Sequence, residues 1–191
     1  LNIKRPDVVE PATNCIPEYI HMIQTLLDKG YAYLAGGNVY FDTSKLEKYY
    51  VFNDHKEEDL AVGVREGIKH LGEYLDIHCG GIDNAFPHHT NEIAQSEAFL
   101  GHKWCNYWFH VHHLNTESGK MSKSKGEFLT VSLLEEKGYD PIVYRLFCLQ
   151  SHYRRNLVFS WENLDNAAQT YEKLIARIAA LRPEDGAVHA E

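Results

Sequence analysis

The stretch Gly119-Lys120-Met121-Ser122-Lys123-Ser124-Lys125-Gly126 limits the architecture more than any other in the chain. It is a loop bounded by glycines, set between an aromatic, strand-like run, Asn106-Tyr107-Trp108-Phe109-His110-Val111, and a helical pattern on its C-terminal side. Three ammonium groups fall within six residues, with two serine hydroxyls beside them. That is chemistry for a polyphosphate, because lysine is a compact point charge and glycine lets the loop follow a phosphate as it moves. Most short Lys/Ser runs are solvated surface. A loop held between buried elements is where function usually sits, and this favours the phosphate reading.

The 191 residues, 44% of them hydrophobic, can bury one sizeable core, or one domain and the start of another. No run is long and apolar enough to span a bilayer. The chain begins at Leu1 with no charged-then-apolar signal pattern, and it reads as a piece of something longer. Cys15, Cys79, Cys105 and Cys148 are scattered with no Cys-x-x-Cys pair, which suits a reducing cytosol better than a disulfide framework; a cytoplasmic monomer is the expectation. A formal charge of -8 argues against a broadly basic nucleic-acid binder but leaves room for a local basic face. Lys120, Lys123, Lys125, Arg154 and Arg155 are where cations cluster.

In chain order, Pro17 to Lys29 predicts a helix whose apolar face is Ile16, Ile20, Ile23 and Leu27, stopped by Gly30. Tyr31 to Thr43 predicts a hairpin turning at Gly36-Gly37-Asn38. Lys45 to Gly67 is charged and irregular and reads as solvated loop. Tyr74 to His78 predicts a short strand, with Cys79-Gly80-Gly81-Ile82-Asp83 as the turn after it. Paired glycines there would let a ligand approach the end of a strand, and Asp83 could take ribose hydroxyls or merely close the turn. Pro87 opens a helix that ends at Gly101 and sets His88 and Glu92 four residues apart, on one face. That pair is acceptable zinc chemistry, yet two ligands are not a site. Further helices are predicted after Thr130, after Asp140-Pro141 and from Ser160, the last with Leu164, Ala168, Tyr171, Ile175, Ile178 and Leu181 on one face.

The string KMSKS is the signature of class I aminoacyl-tRNA synthetases. Asp76-Ile77-His78, Gly80-Gly81-Ile82-Asp83, Phe86-Pro87-His88-His89, Asn91 to Glu97, Asn106-Tyr107-Trp108, Ser151-His152-Tyr153-Arg154 and Glu162-Asn163-Leu164 resemble the cysteinyl-tRNA synthetase family in particular. The resemblance implies an α/β fold: the second half of a class I Rossmann-like nucleotide-binding fold with a parallel sheet. Residues 1–67 would be a remnant of an inserted domain, 68–130 the nucleotide-binding half, and 131–191 a stem-contact region opening an incomplete helical domain. It implies His88 and Glu92 as two ligands of a catalytic Zn2+ that grips the cysteine thiolate, with His78 beside that pocket. Gly80, Gly81, Asp83 and Lys123 would bind ATP, supplied with Mg2+. Lys120 and Lys123 would stabilise the departing pyrophosphate, as lysines aimed at developing charge do. The implied partners are tRNA(Cys), cysteine and ATP.

The departures are as specific. The two cysteine ligands of the family's zinc have no counterpart context here, and no HIGH motif is present. Ile68-Lys69-His70-Leu71-Gly72 resembles the family segment just after the second of those cysteines, while Gly67 belongs to an earlier part of the pattern, so a few dozen residues are expected to be missing at that junction. Cys79 stands where the family has a glycine, at a position that is not a ligand position. A thiol-biosynthesis ligase joining cysteine to a glucosaminyl-inositol, and a non-catalytic tRNA- or metal-binding paralogue, are the alternatives that these residues leave open.

Overall fold

The computed structural model describes residues 1–52, 66–116, 119–120 and 130–181. Lys123 and Lys125 fall outside them, and of Lys120 only the backbone is described. Among the described residues the fold is mixed α/β with two parallel strand pairings. The chain divides into two compact units, Arg5–Val111 and Leu1–Lys4 with His112–Glu191.

In the first unit α1 (Ile16–Asp28) leads into the antiparallel hairpin of β1 (Ala32–Ala35) and β2 (Asn38–Phe41). Gly36 and Gly37 hold positive φ at its turn, where a side chain would be strained. Met22 and Leu26 of α1 are buried against Ala98, with Tyr31, Phe41, Leu46 and Phe99 around them. The buried face therefore differs from the expected one, since Ile16 and Ile20 are exposed. Apolar residues surround much of α1, so spacing alone could not say which stripe meets the partner helix.

The rest of this unit is strand, helix, strand. A short helix, α2 (Glu66–Leu71), precedes β3 (Leu75–Gly81), and α3 (Thr90–Leu100) crosses to β4 (Cys105–Val111), which pairs with β3 in parallel. Leu75, Trp104 and Cys105 form a second buried cluster, with Ile68, Leu100 and Trp108 against it. Gly101 ends α3 in the left-handed conformation, and Lys29 donates to the carbonyls of Ala98 and Phe99 in its last turn. Two expectations are corrected here. Cys79, Gly80 and Gly81 continue the strand, so the turn begins at Ile82; and Leu46 to Phe52, read as solvated, places Leu46 in a core and Tyr49, Tyr50 and Phe52 against other rings. The remainder of that predicted loop, 53–65, lies outside the described residues.

In the second unit β5 (Leu114–Thr116) pairs antiparallel with β6 (Gly119–Lys120) and parallel with β7 (Leu157–Phe159). Between β6 and β7 come α4 (Val131–Glu136) and α5 (Pro141–Leu149), and α6 (Trp161–Ala180) comes after β7. Each helix starts on the expected cap: Thr130 accepts from Leu133 N–H, Asp140 from Ile142 N–H and Ser160 from Asn163 N–H. Leu134, Val143, Phe147, Phe159, Leu164 and Ala167 form the core. Leu164 is fully buried there, so Leu164→Ala should cost about 2–5 kcal/mol in urea denaturation, and Ser160→Ala about 1 kcal/mol. Equal, near-zero costs for both would contradict this core.

Candidate metal centre

Successive side chains of a strand point to opposite faces, and the parallel register sets His78 opposite Trp108 and Gly80 opposite His110. His78, Trp108 and His110 therefore share one face of the β3–β4 pair. Gly80 leaves a gap on that face, and His89 fills it: a Cβ at Gly80 would lie 2.5 Å from His89 Cε1. The ring arrives there because the chain leaves β3 through Ile82–Asn84 and a wide turn, Ala85–His89, entered through extended Phe86. Thr90 closes that turn by donating from Oγ1 to Ala85 O over 2.8 Å. The helix α3 then begins, and its first turn buries Asn91 and Glu92.

Glu92 is 2% exposed, and both of its oxygens face histidine. Oε1 lies 2.9 Å from His88 Nε2, and Oε2 lies 2.7 Å from His78 Nε2. The second contact is close but not aligned as a hydrogen bond, so Oε2 is buried without a directed donor. His89 Nδ1 is 2.8 Å from His110 Nε2. Burial, then the like charges that His78, His110 and His88 would carry, pushes His89 down to about 4. His110 is lowered too, by burial first and then by His78. Both rings are thus neutral near pH 7 and keep a nitrogen lone pair. One ligand atom each from His78, His89 and Glu92 lies within 4.8 Å of the others.

Aromatic rings wall this cluster. Trp108 stands 4.8 Å from the His78 ring and 5.1 Å from His89, and Phe52 contacts both Trp108, at 5.4 Å, and His110, at 4.9 Å. Tyr49 donates its hydroxyl to Asn91 Oδ1 over 2.6 Å, and burial pushes that hydroxyl up to about 12.

Of the residues singled out from sequence, His78, His88 and Glu92 come together, and Gly80 lies against their neighbour His89. Gly81 ends β3, with the Asp83 carboxylate folded back against it from the next turn. Cys79 is exposed and alternates to the face opposite His78. Lys120 contributes backbone to β6, paired with Asn115, and Lys123 lies outside the described residues. Sequence reasoning passed over His89, His110, Trp108, Tyr49 and Phe52. The alternation of Trp108 with His110 was visible, but only the strand register puts it opposite His78 and Gly80.

The sequence pattern described as tRNA synthetases class I (C) catalytic domain matches residues 1–69 and 67–169. The chain belongs to this family. Cysteine–tRNA ligases are among its relatives: that of Treponema denticola is 37% identical over 94% of this chain and 46% of its own length. Those of Clostridioides difficile, 38% identical over 91% and 46%, and Aquifex aeolicus, 37% over 89% and 43%, are as similar. The chain spans just under half the length of these curated relatives. The two family matches meet at 67–69, the junction where a gap was expected. The Treponema alignment runs over 225 residues while 94% of 191 is about 180, leaving about 45 positions with no counterpart in this chain.

The depressed His89 makes stability pH-dependent in a definite direction. Unfolded, its ring protonates near 6.5; folded, near 4. Its stabilising contribution is therefore complete above about pH 6.5 and is lost as pH falls towards 4, a loss on the order of 3 kcal/mol in the metal-free chain. Urea unfolding across that window should show the decline, and His89→Gln should flatten it. Parallel declines in the two proteins would place the titrating group elsewhere.

Proposed function

We propose that this chain carries the metal- and phosphate-handling part of a cysteine–tRNA ligase, which activates cysteine with ATP and transfers it to tRNA(Cys). Its described strands and helices would form the second half of a class I nucleotide-binding fold, with residues 1–67 as remnant of an inserted domain and 131–191 as stem-contact region. The single observation that carries the reading is the buried Glu92 carboxylate, held between imidazoles, in a chain whose relatives are cysteine–tRNA ligases.

Zinc is the metal that the resemblance implies, at the His88–Glu92 pair. The donors fit it: an imidazole nitrogen and a buried carboxylate, one oxygen of which has no directed donor. Zinc bound there would favour a thiolate over a hydroxyl, separating cysteine from serine. The chain's own residues do the rest. His78 contacts Glu92 with Trp108 against its ring, and Phe52 packs on Trp108 and His110. Gly80, Gly81 and Asp83 receive the adenosine of ATP, whose Mg2+ travels with the nucleotide, and Lys120 and Lys123 meet the charge that develops on pyrophosphate.

The test is binding. The zinc-loaded chain should retain cysteine in equilibrium dialysis and discriminate against serine by at least about a hundredfold, and Glu92→Gln should abolish both zinc and cysteine retention. Equal retention of the two amino acids, or cysteine binding untouched by Glu92→Gln, would sink the reading. The 191 residues alone, which carry no HIGH motif, should give no cysteine-dependent pyrophosphate exchange.

A further inference from the structure

Residues 47–52 lie over the outer side of the β3–β4 pair without belonging to any helix or strand. Among the described residues they make no backbone hydrogen bond to a neighbouring element, so side chains alone hold them down. Tyr49 donates to Asn91 Oδ1 over 2.6 Å, and the Tyr50 ring lies 5.8 Å from Phe86. Phe52 meets His110 at 4.9 Å and Trp108 at 5.4 Å, edge to face in both cases. These contacts fall on α3, on the turn before it and on β4.

The root of the segment is fixed by different means. Leu46 packs with Met22, Leu26 and Ala98, and in the short turn before it the Asp42 carboxylate accepts from both the N–H and the hydroxyl of Ser44. Beyond Leu46 no residue is fully buried: Glu47, Lys48 and Val51 are exposed, and Tyr49, Tyr50 and Phe52 turn half-buried rings inward. What lies beneath is held independently, β3 and β4 by their ladder and Thr90 by its bond to Ala85 O. Lifting 47–52 would therefore break one phenol hydrogen bond and a few ring contacts while leaving the elements below paired. Local opening selects such segments, with few buried apolar contacts and no backbone bonds to neighbours.

We infer that residues 47–52 are a strap that swings about Leu46, with Tyr49 as its latch and Phe52 as its cover, and that its opening admits the amino-acid substrate beside Trp108 and His110. The inference rests on the function proposed above only for what enters; the motion stands on the contacts just described.

The competing account is a fixed wall that parts only when the unit unfolds. The two separate when the intact, chelator-stripped chain is labelled with diethyl pyrocarbonate and each histidine is read by mass spectrometry. His110, beneath Phe52, and His89, 2% exposed and bonded to His110, report on the strap, while exposed His21 reports on the reagent. A local opening exposes little surface, so labelling of His110 and His89 should hardly change in urea below the unfolding transition; a fixed wall would make it rise with the full slope of global unfolding. Tyr49→Phe removes the latch and keeps the ring, and should speed labelling of both histidines about fivefold, with His21 unchanged. Phe52→Ala should speed it about tenfold or more. Far-ultraviolet circular dichroism checks that each variant folds; for one that does not, the urea dependence of the wild-type chain decides. A wild-type dependence equal to that of global unfolding, or a Tyr49→Phe chain labelled no faster than wild type, overturns the strap.

The entry route is read by stopped-flow fluorescence of the zinc-loaded chain. Opening the strap should speed cysteine association and dissociation in Phe52→Ala by similar factors, at least about fivefold, because a gate acts on both rates. Cysteine exchange at the wild-type rate despite faster labelling overturns the route. Labelling as expected in a chain that binds no cysteine leaves the strap standing and sinks the function proposed above.

Discussion

A carboxylate taken out of water must be matched by charge or by donors, and Glu92 is the place where this chain meets that demand. Burying an ionised carboxylate costs several kcal/mol, so its surroundings have to be built before it can stay charged. His88 reaches it from the turn that leads into α3, and His78 from the strand β3. The i, i+4 spacing places His88, whereas His78 is placed by the way the chain returns from β3 into α3. The carboxylate thus ties a helix start to a strand, and the rest of the unit is arranged so that this tie can form.

Gly80 is the element that makes room. Any side chain there would overlap the His89 ring, and His89 in turn supports His110 and faces Trp108. The stack is closed from outside by residues far away in sequence, Tyr49 on Asn91 and Phe52 on Trp108 and His110. Low polarity around the rings keeps His89 and His110 neutral, and neutrality is what makes imidazole a ligand. Burial and chemistry are therefore one requirement at this site: the wall that desolvates the histidines also prepares them to donate.

The two family matches meet near 67–69. The helix α2, at that junction, is tied back to the start of the chain through Lys69, which donates to Asn14 O at 3.1 Å and pairs with Glu18 at 3.2 Å. His70 meets Glu10 at 2.9 Å. These are exposed contacts of small individual worth, and Ile68 against Leu75 and Trp104 adds the apolar anchor. About 45 positions of the Treponema alignment have no counterpart here, yet β3 and β4 still pair directly, from Leu75 opposite Cys105 to Gly81 opposite Val111.

Several features were legible from residue types because they depend only on neighbours along the chain. Thr130, Asp140 and Ser160 cap helices because a short oxygen side chain satisfies N–H groups two or three residues on; Gly101 stops α3; the i, i+4 spacing brings His88 to Glu92; and KMSKS marks the family. The choice of Met22 and Leu26 over Ile16 and Ile20 as the buried stripe came from the helix opposite. The extension of β3 through Gly81 came from its hydrogen bonds to β4, and the capture of Tyr49 and Phe52 from rings elsewhere. The meeting of His78, His89 and His110 belongs to the same group, since it needs a register between two strands and a glycine gap in one of them. Local pattern sets what each segment can be; which side chains share a space is fixed only when distant segments compete to bury the same surface.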